Sequence, residues 1–437
     1  MGLLAVQEYQ RIHCGETFDA AKRTITTAHH RLLEKTCEEY KQRFGFAPFD
    51  HGPRKSFVAK NFVGVVCLGR DQIEVLPKIE SETTQVRKNL SRMIATGLEV
   101  DLHAPGLGQM EGTDDSVLEI LVQLFCRHMW SMVHRGLVRK YVGRSENLSV
   151  LRGRLSVASQ IRLNLSRPDR LACDFDEFSE NNLINQVLKA ALRVLLPVVR
   201  SPRNQRSLAE LMFCFQDVDD LALSGIPWHA LTTDRLTRHL EPLLNLARVF
   251  IEGRSQDVLS GTDAGFTLLF DMNELFEAYV GAIVRKVFSG TLTQVSLQGP
   301  RLHLAKRPDG GSAFQLRPDI VVADAGQIRF IADTKWKRLK PSDFRDGVAS
   351  SDVYQMYAYS SRYRAPEVVL LYPHHAELGE WKERRAEYWL EDNVAPGAER
   401  RRIGVTTVDL RDLATVPAQL ERAFACALSM ELAGPES

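Results

Sequence analysis

The chain has 437 residues, of which 44% are hydrophobic, and its 56 basic and 55 acidic side chains leave a formal net charge of +1. This is the composition of a globular protein with two or three domains, so any contact with nucleic acid must come from local basic patches rather than from a global field. The seven cysteines form no C-x-x-C pair, and we find no signal peptide and no membrane-spanning run, so we expect a cytoplasmic protein without zinc, disulfides or membrane contact.

A mixed α/β domain, rich in strands, is predicted over residues 1–160. A helix is expected over 27–44, strands over 57–68 and 72–79, and a second helix after the favourable cap Ser116. Six basic residues then surround a predicted β segment, namely Arg135, Arg139, Lys140, Arg144, Arg152 and Arg154. One interpretation is that these residues contact DNA phosphates or an acidic partner surface. The other is that they form a solvated face, and the pattern leaves both interpretations open.

A helical middle region is predicted over residues 161–262. Its first long helix is expected to be capped by Ser179 and to run toward Val199, with further helices up to about residue 251. The stretch 261–265 contains two glycines and an aspartate and is typical of a linker. We therefore predict that a separate C-terminal domain occupies residues 263–437.

The C-terminal domain is predicted to begin with a helix. Asp271 caps that helix, and Glu274, three residues later, completes a capping box. The elements predicted after it are strands over 316–322 and 328–337, joined as a hairpin, a helix over 351–359 and a strand over 366–373.

Two aspartates and a lysine are associated with this predicted hairpin. Because side chains alternate along a strand, Asp333 and Lys335 point to the same face, and Asp319 is expected to meet them at the sheet edge. Carboxylates are hard oxygen ligands that suit Mg²⁺, and an ammonium group can stabilise negative charge on a phosphoryl group. This set predicts phosphodiester hydrolysis. A surface cluster of ion pairs is the alternative interpretation.

The order helix, strand, strand, helix, strand around Pro318-Asp319 and Asp333-Thr334-Lys335 resembles the PD-(D/E)xK nuclease superfamily. This resemblance implies a restriction-endonuclease-like α/β core in the C-terminal domain. It further implies that Asp319 and Asp333 bind Mg²⁺, for which Mn²⁺ substitutes, and that Lys335 is catalytic. An acid on the first helix reaches the metal in many such nucleases, which assigns Glu277 to the site.

Three further residues are predicted to support this site. Gln355 and Tyr359 lie four residues apart on one helical face and resemble the Q-x-x-x-Y element of the RecB-like branch. That resemblance implies that they orient the site and contact the DNA backbone, with ordinary helix packing as the alternative. Lys337 is either a supporting residue or a solvated neighbour.

Several segments outside this core resemble the McrC family, the nuclease subunits of McrBC-type modification-dependent restriction systems. The matching segments are 64–69, 73–79, 135–141, 151–155, 179–185 and 270–277. The resemblance implies that the N-terminal domain docks on a hexameric McrB-like AAA+ GTPase and that the subunit as a whole stimulates its GTP hydrolysis. No G-x-x-x-x-G-K-[ST] tract occurs in the sequence, so any motor must be another chain.

Two functions are consistent with these patterns. The first is an Mg²⁺-dependent endodeoxyribonuclease subunit of a McrBC-like defence complex, cutting double-stranded DNA that contains modified cytosine. The alternative is a non-catalytic adaptor that activates the AAA+ partner and binds DNA through a nuclease-like fold.

Overall fold

The computed structural model describes residues 2–100, 115–253, 266–341, 345–391 and 401–428. The chain divides into two compact units, one formed by Met1–Val117 with Leu269–Ser437 and the other by Leu118–Leu268. The boundary predicted at residue 262 lies near the start of the second segment of the first unit, whereas the one predicted at residue 160 falls inside the second unit. The predicted linker 261–265 lies outside the described residues.

The N-terminal part of the first unit contains two sheets and two helices. Its strands are β1 (Leu3–Gln7), β2 (Arg11–Gly15), β3 (Thr24–Thr26), β4 (Phe49–Gly52), β5 (Ser56–Ala59), β6 (Phe62–Leu68) and β7 (Asp71–Leu76), and its helices are α1 (Thr27–Phe44) and α2 (Thr83–Gly97). One sheet has the order β3-β2-β5-β4. In the other, β1-β7-β6 is extended by β11 (Phe266–Asp271), whose last three residues belong to this unit.

Helix α1 has the predicted bounds, and its ends explain why. The Thr26 side chain accepts a hydrogen bond from the His29 backbone N–H at 3.2 Å, and Gly45 ends the helix with a φ of 82°. A side-chain oxygen at the first position and a left-handed glycine after the last are the favoured signals for helix ends.

The C-terminal part of the first unit is a six-stranded sheet with flanking helices, and a separate two-stranded hairpin. The sheet has the order β12-β15-β16-β17-β19-β18. The elements are α8 (Met272–Val287), β12 (Gln294–Leu297), β13 (Leu302–Lys306), β14 (Ser312–Leu316), β15 (Ile320–Asp324), β16 (Gln327–Thr334), α9 (Ser350–Tyr363), β17 (Glu367–Pro373), β18 (Ala386–Trp389), β19 (Arg402–Val408) and α10 (Val416–Leu428). All seven residues of β17 are buried, as expected for a central strand that is covered on both faces.

The predicted hairpin is confirmed, with one correction to its first strand. Strands β15 and β16 pair antiparallel, and the connecting residues Ala325 and Gly326 both have positive φ, 47° and 82°. Two such residues form the tight turn that matches strand twist. The prediction of a continuous strand over 316–322 is wrong, since Leu316 ends β14 and β15 begins at Ile320. Pro318 lies in the break, where its missing N–H costs no ladder hydrogen bond.

The cap of helix α8 is also confirmed. Asp271 accepts a hydrogen bond from the Asn273 backbone N–H at 2.8 Å. This bond goes to the second helical residue instead of to Glu274, so the predicted capping box does not take the expected form. Asp271 also accepts a hydrogen bond from the Asn61 side chain at 2.9 Å, which ties the start of α8 to the N-terminal sheet.

The second unit contains five α-helices, two short 3-10 helices and a three-stranded sheet among its described residues. Its elements are α3 (Val117–Val133), β8 (Lys140–Leu148), β9 (Arg154–Leu155), α4 (Val157–Asn164), β10 (Leu171–Ser179), α5 (Leu183–Leu195), α6 (Pro202–Cys214) and α7 (Glu241–Glu252), and the sheet order is β8-β10-β9. The prediction that Ser179 caps a helix is wrong, because Ser179 pairs with Lys140 at the end of β10. The cap of α5 is Asn182, which accepts a hydrogen bond from the Asn185 N–H.

No helix in the described ranges combines the length and the apolar character that crossing a bilayer requires.

Candidate functional site

Asp319 lies immediately before β15, where the neighbouring strand holds its carboxylate. Oδ2 of Asp319 accepts hydrogen bonds from both the backbone N–H and the hydroxyl of Thr334, at 2.7 and 2.8 Å. The carbonyl of Asp319 accepts a hydrogen bond from the Gln298 N–H at 2.8 Å. Two donors from Thr334 fix one carboxylate oxygen, so the orientation of Asp319 follows from the register of β15 against β16.

Asp333 and Lys335 meet as the alternation of side chains predicts. Asp333 is only 1% exposed, and its Oδ2 forms a close ion pair with Nζ of Lys335. Nζ of Lys335 also donates a hydrogen bond to Oε1 of Gln355 at 3.0 Å. The lysine is therefore held between a carboxylate on the sheet and an amide on α9.

The predicted pair on α9 continues this chain of hydrogen bonds. Nε2 of Gln355 donates to the hydroxyl of Tyr359 at 2.8 Å, and that hydroxyl donates to the carbonyl of Arg317 at 3.0 Å. Tyr359 is 3% exposed and also packs in the hydrophobic core. The two residues thus connect Lys335 to the backbone two residues before Asp319, in addition to filling the helix interface.

The carboxylates strongly influence one another's protonation. Burial, and next the negative charge of Asp319, raise the pKa of Asp333 against the opposing effect of Lys335. Burial also raises the pKa of Asp319, although the hydrogen bonds from Thr334 oppose it. Burial disfavours the charged form of Lys335, but the carboxylates, Asp333 first, outweigh it and raise its pKa. The site therefore holds more buried negative charge than its one ammonium group balances.

Glu277, on α8, belongs to the same electrostatic group. Burial and then the charge of Asp319 raise the pKa of Glu277. Its Oε1 accepts a hydrogen bond from Nε2 of Gln298 at 3.0 Å. Gln298 therefore contacts both predicted acids, Asp319 through its backbone and Glu277 through its side chain, a role that nothing in the sequence pattern indicates.

Lys337 points to a different carboxylate. Its Nζ lies 2.9 Å from Oδ1 of Asp352 and 3.1 Å from Oδ2, and the hydroxyl of Tyr372 donates to Oδ2 at 3.0 Å. Asp352 is 4% exposed and adds to the negative charge around Asp333. Lys337 neutralises this third aspartate and so supports the site indirectly.

Trp336, between the two lysines, connects the site to the N-terminal sheet. Its Nε1 lies 2.9 and 3.0 Å from the two carboxylate oxygens of Glu8, which also accepts a hydrogen bond from the Lys78 N–H at 3.1 Å. Burial raises the pKa of Glu8 to about 6. The indole also packs on Phe276, with ring centroids 5.3 Å apart. Glu8 could not be found from the sequence, because it lies 328 positions before Trp336 and no local pattern links the two.

The donor set fits a hard divalent cation. Oδ2 of Asp333 is buried and, apart from the ion pair with Lys335, has no hydrogen-bond partner in the described structure. No group of three or more His, Cys, Asp or Glu side chains in the described ranges has a ready metal-binding arrangement. Mg²⁺ needs only one or two protein carboxylates, with water and phosphate oxygens as its other ligands. Asp319 and Asp333, with Glu277 beside Asp319, supply that number.

The predicted basic cluster of the second unit is largely neutralised by acids on and after β10. Arg139 contacts Glu180 at 2.7 Å, Arg152 contacts Glu177 at 3.4 Å, and Arg154 contacts Asp174 at 3.5 Å. Lys140 lies 3.5 Å from Asp234. Arg135 precedes this sheet and is exposed. Charge that is already paired attracts DNA phosphates weakly, so these contacts favour the solvated-face interpretation.

Large apolar side chains are exposed around the same sheet. Tyr141 on β8 and Phe178 on β10 are cross-strand partners with ring centroids 5.1 Å apart, and they are 75% and 54% exposed. Other exposed apolar residues in this part of the unit are Val150, Leu151, Val157, Ile161, Leu163 and Leu165. Exposed apolar residues in such number are typical of a surface that binds another protein.

The fold and these side chains define a mixed α/β multidomain protein with a buried carboxylate–lysine site. A family model described as McrBC 5-methylcytosine restriction system component matches residues 58–373. The chain belongs to this family, as a McrC protein.

Solved structures with a similar fold come from Thermococcus gammatolerans. The first is a refined half-complex from a tetradecameric assembly of McrB AAA+ hexamers with bound McrC; it has a TM-score of 0.66 at 18% identity and covers 97% of this chain and 99% of that chain. The second is a McrBC complex, with a TM-score of 0.49 at 21% identity, covering 66% of this chain and 88% of that chain. No curated protein matches the sequence.

Proposed function

We propose that the chain is the Mg²⁺-dependent endonuclease subunit of a McrBC-like restriction complex, with a PD-(D/E)xK core. The observation that carries this proposal is the burial of Asp333 beside Asp319 and Lys335. A buried carboxylate with a raised pKa, next to a second carboxylate, costs free energy in the unliganded fold. Such arrangements are concentrated at functional sites, whereas a surface ion-pair cluster would lie in water.

Each residue has a role that its contacts support. Bound Mg²⁺ would supply charge neutralisation and a water of lowered pKa. Asp319, fixed by Thr334, and Asp333 would hold the cation, and Glu277 would complete the acidic rim. Lys335, held by Asp333 and Gln355, keeps its proton and would stabilise the charge that develops on a phosphate oxygen during displacement.

The proposal includes a partner with AAA+ activity. The similar structure from Thermococcus gammatolerans contains McrB AAA+ hexamers with bound McrC, and the exposed apolar residues around Tyr141 and Phe178 offer a docking surface. We propose that this surface, rather than the ion-paired basic cluster, carries most of the docking free energy. Apolar and aromatic anchors dominate protein interfaces, while paired charges contribute little.

Reconstitution tests the proposed activity. A mixture that contains this chain, a McrB-like hexamer, GTP and Mg²⁺ should break both strands of DNA that carries modified cytosine. Omitting Mg²⁺ or the partner should leave the DNA intact, and Mn²⁺ should restore cleavage. An assembled complex that hydrolyses GTP but never breaks a phosphodiester bond would instead establish the non-catalytic adaptor.

Docking is tested separately by charge substitutions on the exposed aromatic pair. We expect Tyr141→Asp and Phe178→Asp each to reduce stimulation of the partner's GTP hydrolysis by about tenfold or more, since each buries a carboxylate at the interface. Phe213→Asp is the matched control, because Phe213 is 72% exposed on α6 of the same unit. Unchanged stimulation by the first two variants, measured with thermal unfolding as a check on folding, would place the docking surface elsewhere.

A further inference from the structure

The hairpin formed by β13 and β14 is a separate two-stranded sheet that leads directly into the site. Its second strand ends at Leu316, three residues before Asp319. Three residues span at most about 10 Å at about 3.3 Å per residue. The base of the hairpin therefore lies beside the predicted metal ligands, and its five-residue strands extend about 16 Å from there.

Helix α9, which carries Gln355, holds the base of this hairpin. The Tyr363 hydroxyl lies 2.6 Å from the carbonyl of Pro300 and 3.3 Å from that of Leu316, and it accepts a hydrogen bond from the Leu302 N–H at 3.2 Å. Nε of Arg362 donates to the carbonyl of His303 at 2.8 Å. The hairpin base is thus fixed by the same helix that positions Lys335.

Beyond its base the hairpin presents apolar side chains to solvent. Phe314 is 74% exposed and Leu304 is 49% exposed. Phe314 also has a φ of 56°, a left-handed conformation that is unfavourable for a bulky residue. A residue held in such a conformation costs about 1–3 kcal/mol, and such residues cluster at active sites and ligand-binding segments.

The charged side chains of the hairpin are mostly basic. Residues 301–317 include four cations, Arg301, Lys306, Arg307 and Arg317, and a single carboxylate, Asp309. At the tip, Asp309 accepts the Gly311 N–H at 2.8 Å and lies 3.6 Å from Arg307. Arg307 is therefore paired, whereas Arg301 and Lys306 form no ion pair with another described residue. An excess of cations next to an exposed aromatic ring is a combination that binds nucleic acid.

We propose that the β13–β14 hairpin is a DNA-contacting arm that lies along the duplex beside the scissile phosphate. This inference rests on the proposed nuclease function and extends it to substrate positioning. Lys306 and Arg307 contact phosphates, and Phe314 packs against the sugar edge of a groove. A duplex carries one negative charge per about 1.7 Å of its axis, so an arm about 16 Å long meets several phosphates.

A second copy of the chain is the competing occupant of this surface. A twofold interface would bring the same patch of both copies together, so the four cations of each arm would face those of the other. Like charges at such an interface cost free energy. The charge of the arm therefore favours DNA over self-association.

Equilibrium binding of the full chain to a 20-base-pair duplex, with Ca²⁺ in place of Mg²⁺ to prevent cleavage, tests the arm. The double variant Lys306→Ala with Arg307→Ala should weaken binding about tenfold or more and lower the slope of log K against log salt by about 2, at about 0.9 per phosphate contact. Arg54→Ala with Lys55→Ala is the matched control, since this exposed pair occupies the turn of the β4–β5 hairpin. The control should bind as the parent does.

Photo-crosslinking identifies the occupant directly. Phe314→benzoylphenylalanine should crosslink to the duplex in the assembled complex, and the control substitution Phe213→benzoylphenylalanine should not. Three results would each contradict the proposed DNA-contacting role of the hairpin. They are a double variant with the affinity and salt slope of the parent, crosslinks to a second copy of this chain, and a parent chain that binds no duplex. If the arm variants lose DNA binding while the assembled parent never cuts DNA, the arm stands and the nuclease proposal fails.

Discussion

Replacing Lys335 with alanine is expected to lower DNA cleavage by the assembled complex by about a hundredfold to a thousandfold, the cost of losing one preorganised group that stabilises transition-state charge. Asp319→Asn should have an effect of similar size, because an amide is a poor ligand for Mg²⁺ and its NH₂ group would repel the cation. Both variants should still stimulate the partner's GTP hydrolysis. Lys335 and Asp319 lie in the first unit, whereas the proposed docking residues lie in the second.

Matched controls separate loss of chemistry from loss of folding. Asp324→Asn changes an aspartate at the other end of β15, where Asp324 lies 3.6 Å from Arg329. Lys340→Ala removes an exposed lysine from the segment after the site. Both controls should cut DNA at the parental rate. Parental cleavage by Lys335→Ala or Asp319→Asn would mean that the carboxylate–lysine site is not where the phosphodiester bond is broken.

The local parts of this site could be predicted from sequence because they depend on short-range rules. Alternation that continues one residue past the end of β16 places Asp333 and Lys335 on one face, and the helical repeat of α9 places Gln355 next to Tyr359. The tight turn at Gly326, together with the register shift between Val322 and Ala323, sets the register that brings Thr334 to Asp319. Each of these contacts joins residues within one element or within adjacent strands.

The long-range parts could not be predicted. Trp336 and Glu8 are 328 positions apart, and only the folding of both segments into one compact unit brings them together. The start of α5 was also misplaced, because Ser179 has the side chain of a cap but its backbone is occupied by pairing with Lys140. Competition from tertiary pairing decides such cases, and a single sequence does not reveal it.

The contact between Glu8 and Trp336 makes the N-terminal sheet part of the site. Nε of Arg87 binds the buried Glu74 in the same sheet, and Asn89 on α2 donates to the carbonyl of Leu410 at 2.7 Å. The residues flanking Lys335 are therefore held from two sides, by α9 and by the N-terminal sheet. A preorganised lysine of this kind needs little rearrangement when substrate arrives.

The buried charge that serves the proposed chemistry should weaken the metal-free fold, and Asp333→Asn tests this directly. Burial and Asp319 raise the pKa of Asp333 from an ordinary value of 3.8 to about 7. The folded protein binds the carboxyl proton of Asp333 more tightly than the unfolded chain does, so binding of this proton stabilises the fold. This stabilisation is full below about pH 4 and is lost as the pH rises through about 7. This difference in the pKa of Asp333 corresponds to a free energy of unfolding of at most about 4 kcal/mol, at about 1.4 kcal/mol per pKa unit.

Asparagine cannot ionise, so Asp333→Asn should be more stable than the parent at pH 8, by on the order of 2 kcal/mol or several degrees in Tm. At pH 4 the two proteins should unfold at nearly the same temperature. Thermal unfolding in EDTA at both pH values measures this, with Asp324→Asn as the control. Added Mg²⁺ should then stabilise the parent at pH 8 but not the variant, since only the parent keeps both carboxylates. A variant that is less stable than the parent at pH 8 would show instead that the ion pair between Asp333 and Lys335 stabilises the fold, as in an ordinary structural cluster.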